Sequence, residues 1–437
     1  MAVAPFDSAL WRGLYGDAEL QPLFTDSAEI RAMLLVEGAL ARAQGKLGLI
    51  PAEAAAAISR AAETVMIDPA ALATGTAAAG VPVPALVPAF RAAMEAPDHA
   101  RHAHFGATSQ DIVDTGLALR LRRALEIIGA RLDALIAALA AKAAAEAETA
   151  MAARTRSQIA TPTSLGARIA VWRAPLTRCR DRLEELKPRL LRLSLAGASG
   201  TLAAMGPSGP RVAEAMAAGL RLGHDPVPWH AARDNIAELG GALTLLTGAL
   251  GKIGLDLTLM TRAEIAEVAT GAPGSSSTMP HKANPVAPEA LITLARANAG
   301  LVGRLYEAQL HAEEREGAAW ALEWLTLPQI VIAAGAALSH AAGLIDTLTA
   351  RPEAMARRMA ATGGLMLAEA ASFALSAHMP RPEAEALVKA ACKRAAETAR
   401  PLGDVLAEAT DAPVDWATVM DPAGYLGQAA AIARAGS

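Results

Sequence analysis

The stretch Asn235-Ile236-Ala237-Glu238-Leu239-Gly240-Gly241-Ala242-Leu243-Thr244-Leu245-Leu246-Thr247-Gly248-Ala249-Leu250-Gly251-Lys252-Ile253-Gly254-Leu255-Asp256-Leu257-Thr258-Leu259-Met260 carries the fold. Leu239, Leu243, Leu246, Leu250, Ile253, Leu257 and Met260 recur at alternating steps of four and three. That spacing draws one apolar stripe along a helix and suits knobs-into-holes packing. The spacing predicts a helix from Asn235 to about Val268, roughly 45 Å or more in length at about 1.5 Å per residue. Leu117, Leu121, Leu125, Ile128, Leu132, Leu135 and Leu139 nearly repeat the pattern. A third long helix is expected after Pro285, with Pro288 tolerated in its first turn. A fourth is expected after Pro162. No β-alternation and no fixed-period repeat stand out, so the expected fold class is all-α, built on a long helix bundle.

Composition agrees. Alanine dominates, and only 3% of the 437 residues are aromatic, which favours helix over sheet. A net charge of −4 with no Lys/Arg block argues against nucleic acid as a partner. Cys179 and Cys392 are far apart and lack neighbours at metal-ligand spacing, so neither a disulfide framework nor a metal site is expected. Met1 to Asp17 shows no basic region leading into an apolar one, so no export signal is expected. Trp324 to Ile345 carries no formal charge, but its Ala, Gly, Pro328, Gln329, Ser339 and His340 read as a buried bundle helix rather than a membrane span. A cytoplasmic protein without membrane contact follows. Proline punctuation suggests three helical domains: residues 1–105, a central long-helix part 106–350, and a cap 351–437.

Three polar segments interrupt the helical pattern. In His104-Phe105-Gly106-Ala107-Thr108-Ser109-Gln110-Asp111, small hydroxyl residues before a helix can cap it or offer N–H groups and hydroxyls to an anion. Thr155-Arg156-Ser157-Gln158-Ile159-Ala160-Thr161-Pro162-Thr163 reads either as a plain helix connection or as a polar site between apolar helices. Pro273-Gly274-Ser275-Ser276-Ser277-Thr278-Met279-Pro280-His281-Lys282-Ala283-Asn284-Pro285 has linker-like composition, yet a spacer has no need of Lys282 and Asn284 so placed.

The third segment resembles the signature of the fumarase/aspartase superfamily, Gly-Ser-x-x-Met-x-x-Lys-x-Asn. Ser276, Met279, Lys282 and Asn284 match in register, Glu289 follows where that family has a glutamate, and Ser275 departs from the glycine, which stands one place earlier as Gly274. The Thr108-Ser109-Gln110-Asp111 run and the Gln158…Thr161-Pro162 run are similar to the family's other two shared regions, in the same order. Within the superfamily the likeness is nearest to the bacterial 3-carboxy-cis,cis-muconate cycloisomerases. It extends to Pro228-Trp229-His230…Arg233-Asp234 and Thr362-Gly363-Gly364-Leu365. The resemblance implies a homotetramer with a twenty-helix core, active sites shared between subunits, and no metal or organic cofactor.

It further implies chemistry at the carbon next to a carboxylate, where negative charge must be met by preorganised donors. Ser276 is then the proton-transfer group, with Lys282 and Asn284 as the electrophilic clamp. Thr108, Ser109 and Gln110 are expected to hold a carboxylate, together with Gln158, Thr161 and Met279 around the site. Many superfamily lyases have a histidine, read as a general acid, where this chain has Arg156. Arginine hardly releases a proton at neutral pH, so Arg156 is expected to bind a carboxylate of a tricarboxylate substrate instead. Arg233 is expected to do the same, with Arg315 as a further candidate, and His104 to orient substrate or move a proton. His102 and His230 are additional candidates, and His281 is expected to shape the loop. The expected activity is lactonisation of 3-carboxymuconate. The alternatives are a fumarate-releasing lyase using another acid such as His104, or an inactive structural relative.

Overall fold

The computed structural model describes residues 4–271, 274, 279 and 282–435. Helix α1 is Asp26–Lys46, α2 Ala52–Thr64 and α3 Val83–Ala93. Helix α4 is the 37-residue Ser109–Ala145. Strands β1 (Ala150–Thr155) and β2 (Gln158–Ser164) follow, then α5, Leu165–Leu190. Helix α6 is Asp234–Met260, α7 Val286–Glu307 and α8 Gly317–Thr347. Shorter helices between Pro352 and Arg434 close the chain.

The two leucine stripes are buried along their whole length: no member is more than 7% exposed. At about 25 cal/mol per Å2 of apolar area, such stripes are the main stabilising term of the long helices. Both α6 and α8 are long and apolar enough to cross a membrane, and 50% and 67% of their apolar windows are buried within the chain itself.

The chain packs as two compact units. One comprises Met1–Arg131, Cys179–Gly248 and Leu294–Ala337, the other Leu132–Arg178, Ala249–Thr293 and Leu338–Ser437. The breaks expected at 105/106 and 350/351 fall inside these units. The reason is that α4, α6, α7 and α8 each contribute to both, so proline punctuation does not mark where packing divides. In the first unit α1, α2 and α3 share a core with the start of α4, centred on Ile58, Leu86, Phe90 and Ile112. In the second, Leu375, Val388, Leu402 and Leu406 make a core of their own.

Two expectations change. Helix α6 ends at Met260 rather than near Val268, because a turn with positive φ at Ala266 leads Val268–Ala269 (β3) into an antiparallel ribbon with Thr349–Ala350 (β4). The 155–163 segment is not a helix connection but a hairpin. β1 and β2 pair antiparallel from Ala150↔Ser164 to Thr155↔Gln158, with Arg156 and Ser157 as the two turn residues. Their φ values of +49° and +66° are what a two-residue hairpin turn of the primed type demands.

Within the second unit α6 and α7 approach closely at Gly254. A Cβ there would lie 2.5 Å from Pro288 O and 2.8 Å from Leu291 Cβ. Gly254→Ala is therefore expected to destabilise by about 1–3 kcal/mol, read as a lower denaturant midpoint in urea unfolding; an unchanged midpoint would refute the close approach.

Candidate functional site

The first polar segment opens α4. Asp111 accepts the backbone N–H of Thr108 at 2.9 Å, the reciprocal half of a capping box. The same carboxylate accepts the N–H groups of Ala196 and Gly197 at 2.8 and 3.0 Å and lies 2.9 Å from His230 Nε2. Asp111 and His230 are both buried, so they pin the helix start to the 194–197 strap. The hydroxyls of Thr108 and Ser109 stay half-buried, with no internal hydrogen bond among the described residues, and can still meet a ligand.

Gln110 does not. It is fully buried, its Nε2 donates to Asp114 Oδ2 at 3.1 Å and to the His230 carbonyl at 2.9 Å, and its Oε1 accepts Arg315 Nε at 2.8 Å. This amide orientation is the one in which each neighbour finds a complementary partner. Gln110 therefore positions Arg315, whose guanidinium also donates to Ala198 O at 3.2 Å and remains partly exposed. Arg315, read from sequence as a secondary candidate, is the better placed cation.

Arg233 is a correction of the opposite kind. It is 1% exposed, and its guanidinium is shared between Asp114, at 2.6 Å and 3.2 Å, and Glu323, with Nε at 2.8 Å from Oε1. Its face lies 4.7 Å from the Trp229 ring centroid, and Trp320 Nε1 donates to Asp114 at 3.1 Å. Burial alone would lower its pKa; the charges and hydrogen bonds of Asp114 and Glu323 outweigh burial and raise it. Both faces of the fork are engaged by internal carboxylates, which leaves none for a substrate.

His104 is held by α1. Its Nδ1 lies 2.6 Å from Glu37 Oε1, and Glu37 is 1% exposed. Sequence reading missed Glu37. The available signal was a lone acid inside the apolar run Leu34-Leu35-Val36-Glu37-Gly38-Ala39-Leu40.

The other two segments lie in the second unit. Arg156 and Gln158 are exposed at the hairpin tip, and Thr161 is half-buried on β2. Behind the tip, Arg154 forms a two-pronged bond with Glu267, at 3.0 and 2.8 Å, and Glu267 is fully buried. That pair ties the hairpin to the chain entering the third segment. The third segment is closed at its base, where Gly274 and Asn284 exchange two backbone hydrogen bonds of 3.0 Å. A Cβ at 274 would lie 2.4 Å from Val286 Cγ2, a physical reason for glycine there. Lys282 donates its backbone N–H to Met279 O at 2.9 Å, and the Lys282 and Met279 side chains are exposed. Asn284 is half-buried. Ser276 and His281 lie outside the described residues.

The first unit offers two hydroxyls, a histidine backed by a carboxylate and the partly exposed Arg315; the second, by itself, offers the exposed Arg156 and Lys282. Cations and hydrogen-bond donors of this kind suit carboxylates whose charge rises during a reaction.

Residues 17–300 match the family described as lyase, and residues 364–435 match the C-terminus of adenylosuccinate lyase. The chain is 42% identical to the 3-carboxy-cis,cis-muconate cycloisomerase of Pseudomonas aeruginosa, over 95% of this chain and 92% of that one. It is 37% identical to the nitrosuccinate lyase of Streptomyces davaonensis, over 98% and 94%. The crystal structure of the 3-carboxy-cis,cis-muconate lactonizing enzyme from Pseudomonas putida superposes with a TM-score of 0.92 at 38% identity, covering 98% of this chain and 97% of that one.

Arg233→Met leaves Asp114 and Glu323 buried without their cation. A loss of about 3–5 kcal/mol in unfolding free energy is expected, measured by chemical denaturation. A stable variant with only a raised KM would restore Arg233 to the substrate.

Proposed function

Because the chain belongs to the fumarase/aspartase superfamily of lyases, we propose that this enzyme is a 3-carboxy-cis,cis-muconate cycloisomerase acting in protocatechuate breakdown. The observation that carries this reading is the exposed guanidinium of Arg156 at the hairpin tip. It can bind a carboxylate but cannot protonate a leaving group, and lactonisation needs no such acid. The likeness to the Pseudomonas cycloisomerases points the same way.

In the proposed step a substrate carboxylate oxygen attacks the conjugated double bond and a C–O bond forms. The π electrons pass to the neighbouring carbon and its carboxylate, giving a doubly charged aci-carboxylate. The Ser276 hydroxyl then delivers its proton to that carbon, and the alkoxide takes up a proton from solvent, so the net reaction consumes one proton. Lys282 and Asn284 stabilise the developing charge, and the Lys282 ammonium eases formation of the serine alkoxide. Arg156, Arg315 and the Thr108 and Ser109 hydroxyls hold the other carboxylates, with Gln158, Thr161 and Met279 shaping the pocket. His104 contributes a further donor. The step is an addition completed by a proton transfer, with no change of oxidation state, and calls for neither metal nor organic cofactor.

The assembly we propose is a homotetramer in which sites draw their three segments from neighbouring subunits around a twenty-helix core. Its support is an apolar face left uncovered in the single chain. On α6, Leu245, Leu255 and Leu259 share the face away from the buried stripe and are 41–54% exposed, and Leu325 on α8 is 66% exposed. Such a face on a bundle helix calls for a protein partner. With that face covered, and in keeping with the metabolic enzymes it resembles, we propose a soluble protein of the cytoplasm.

A second reading has one specific support. Nitrite, like a carboxylate, leaves without protonation, so Arg156 is equally compatible with elimination from a nitrosuccinate-type substrate, as the name of the Streptomyces relative suggests. Loss of the conjugated muconate absorbance on incubation with 3-carboxymuconate supports cycloisomerisation. Fumarate and nitrite release from nitrosuccinate, with no loss of muconate absorbance, supports the alternative.

Ser276→Ala is expected to abolish turnover while the oligomer elutes unchanged in size-exclusion chromatography; near-normal rates would remove Ser276 from its role. Arg315→Gln is expected to raise KM roughly 10–100-fold, the weight of about 1.5–3 kcal/mol for a hydrogen bond to a charged group, with a modest fall in the unfolding midpoint because Gln110 Oε1 loses its partner; an unchanged KM would remove Arg315 from the substrate.

A further inference from the structure

Helix α1 reaches the 104–106 turn at two points. Glu37 and Gln44 are seven residues apart, two turns along one helix face, and each is 1% exposed. Glu37 Oε1 meets His104 Nδ1 at 2.6 Å, and Gln44 Nε2 donates to Phe105 O at 2.6 Å. Between these grips the backbone is left-handed, with φ +63° at His104 and +72° at Gly106. A non-glycine residue keeps that conformation only where its surroundings over-determine it. Here two buried side chains of one helix do so.

We propose that Glu37 is a positioning residue for the proposed reaction, which locks His104 with Nδ1–H inward and favours the charged ring over the neutral one, so that Nε2–H can face a substrate carboxylate. Three features separate this from packing alone. The imidazole is the sole hydrogen-bond partner of the Glu37 carboxylate, because Glu37 Oε2 is buried and unbonded among the described residues. A buried carboxylate without a cation is costly, and among the described residues the His104 imidazole is the group that hydrogen-bonds it. Nε2 of His104 makes no hydrogen bond among the described residues, and the side chain is 18% exposed, so that edge of the ring remains open to a ligand.

The groups facing His104 act in a definite balance. Burial disfavours the imidazolium. The hydrogen bond and charge of Glu37 on α1, followed by the charge of Asp111 on α4, outweigh burial, and Arg91 on α3 opposes them. The net direction is upward from the ordinary histidine value. The cationic form therefore persists to higher pH than in a free histidine, and is lost as pH rises through the shifted value.

This inference rests on the carboxylate-binding reading above, and its test separates the two. The intact protein with 13C-labelled histidine is titrated by NMR, with the His104 resonance assigned by its absence in His104→Gln. The expected result is a His104 midpoint above about 6.5 in the wild type, falling by roughly one pH unit in Glu37→Gln, a tenfold loss of proton affinity. With 3-carboxymuconate, the alkaline fall of kcat/KM moves toward acid by the same amount in Glu37→Gln. The two enzymes converge at low pH, where both rings are charged. A packing role would depress kcat/KM equally at every pH. A folded Glu37→Gln with unchanged midpoint overturns the proposal. Should that variant fail to fold, a wild-type midpoint at or below about 6.5 overturns it and one above supports it. A shifted midpoint in a protein that turns over no tricarboxylate leaves Glu37 in its role and refutes the proposed substrate instead.

Discussion

A guanidinium shut away from water must find its partners in protein, and Arg233 finds them on two long helices. It stands at the threshold of α6 and binds Asp114 of α4 and Glu323 of α8, with the Trp229 ring against its face. Removing Arg233 strands two carboxylates in a low-dielectric interior, so the three helix segments of this unit are held in one mutual arrangement. The consequences spread through hydrogen bonds. Asp114 fixes Gln110, Gln110 fixes Arg315, and Asp111, one residue further along α4, pins the 194–197 strap and His230. The groups free to meet a ligand inherit their geometry from a charge cluster that never meets one.

The second unit uses a smaller version of the same device. Arg154 and buried Glu267 join the hairpin to the chain that enters the signature segment, and the Gly274–Asn284 bridge closes that segment's base. In both units the polar side chains with the best internal partners stand behind the ones that face outward. This is the ordinary division between groups that bind and groups that hold the binders still.

The helical architecture was legible because leucine periodicity is a local signal. Leu239 through Met260 and Leu117 through Leu139 announce a buried stripe before any tertiary contact is known. The hairpin was not legible. Its first strand, Ala150–Thr155, is rich in alanine, a poor strand former, and its turn is Arg-Ser rather than Asn-Gly, so neither propensity nor turn chemistry signals it. Arg233 was misread for a different reason. A sequence displays a charge but not whether a carboxylate 90 or 119 positions away has already neutralised it. The same limit hid Glu37, whose partner His104 lies 67 positions on. Among the candidate residues, Thr108, Ser109 and Lys282 could be picked out by the motifs and Arg156 by its departure from them, because each signal lies within a few neighbouring residues, while the residues that hold such groups in place depend on long-range pairing.

The hairpin tip has an evolutionary corollary. Arg156 and Ser157 sit in solvent, in a turn defined by backbone angles and secured two residues back by Arg154. No core contact depends on which side chain occupies position 156. That place can therefore drift among lineages at little thermodynamic cost, exchanging a guanidinium for a proton donor or an aromatic ring. A scaffold so arranged supports divergence in leaving-group chemistry while its helices stay essentially constant.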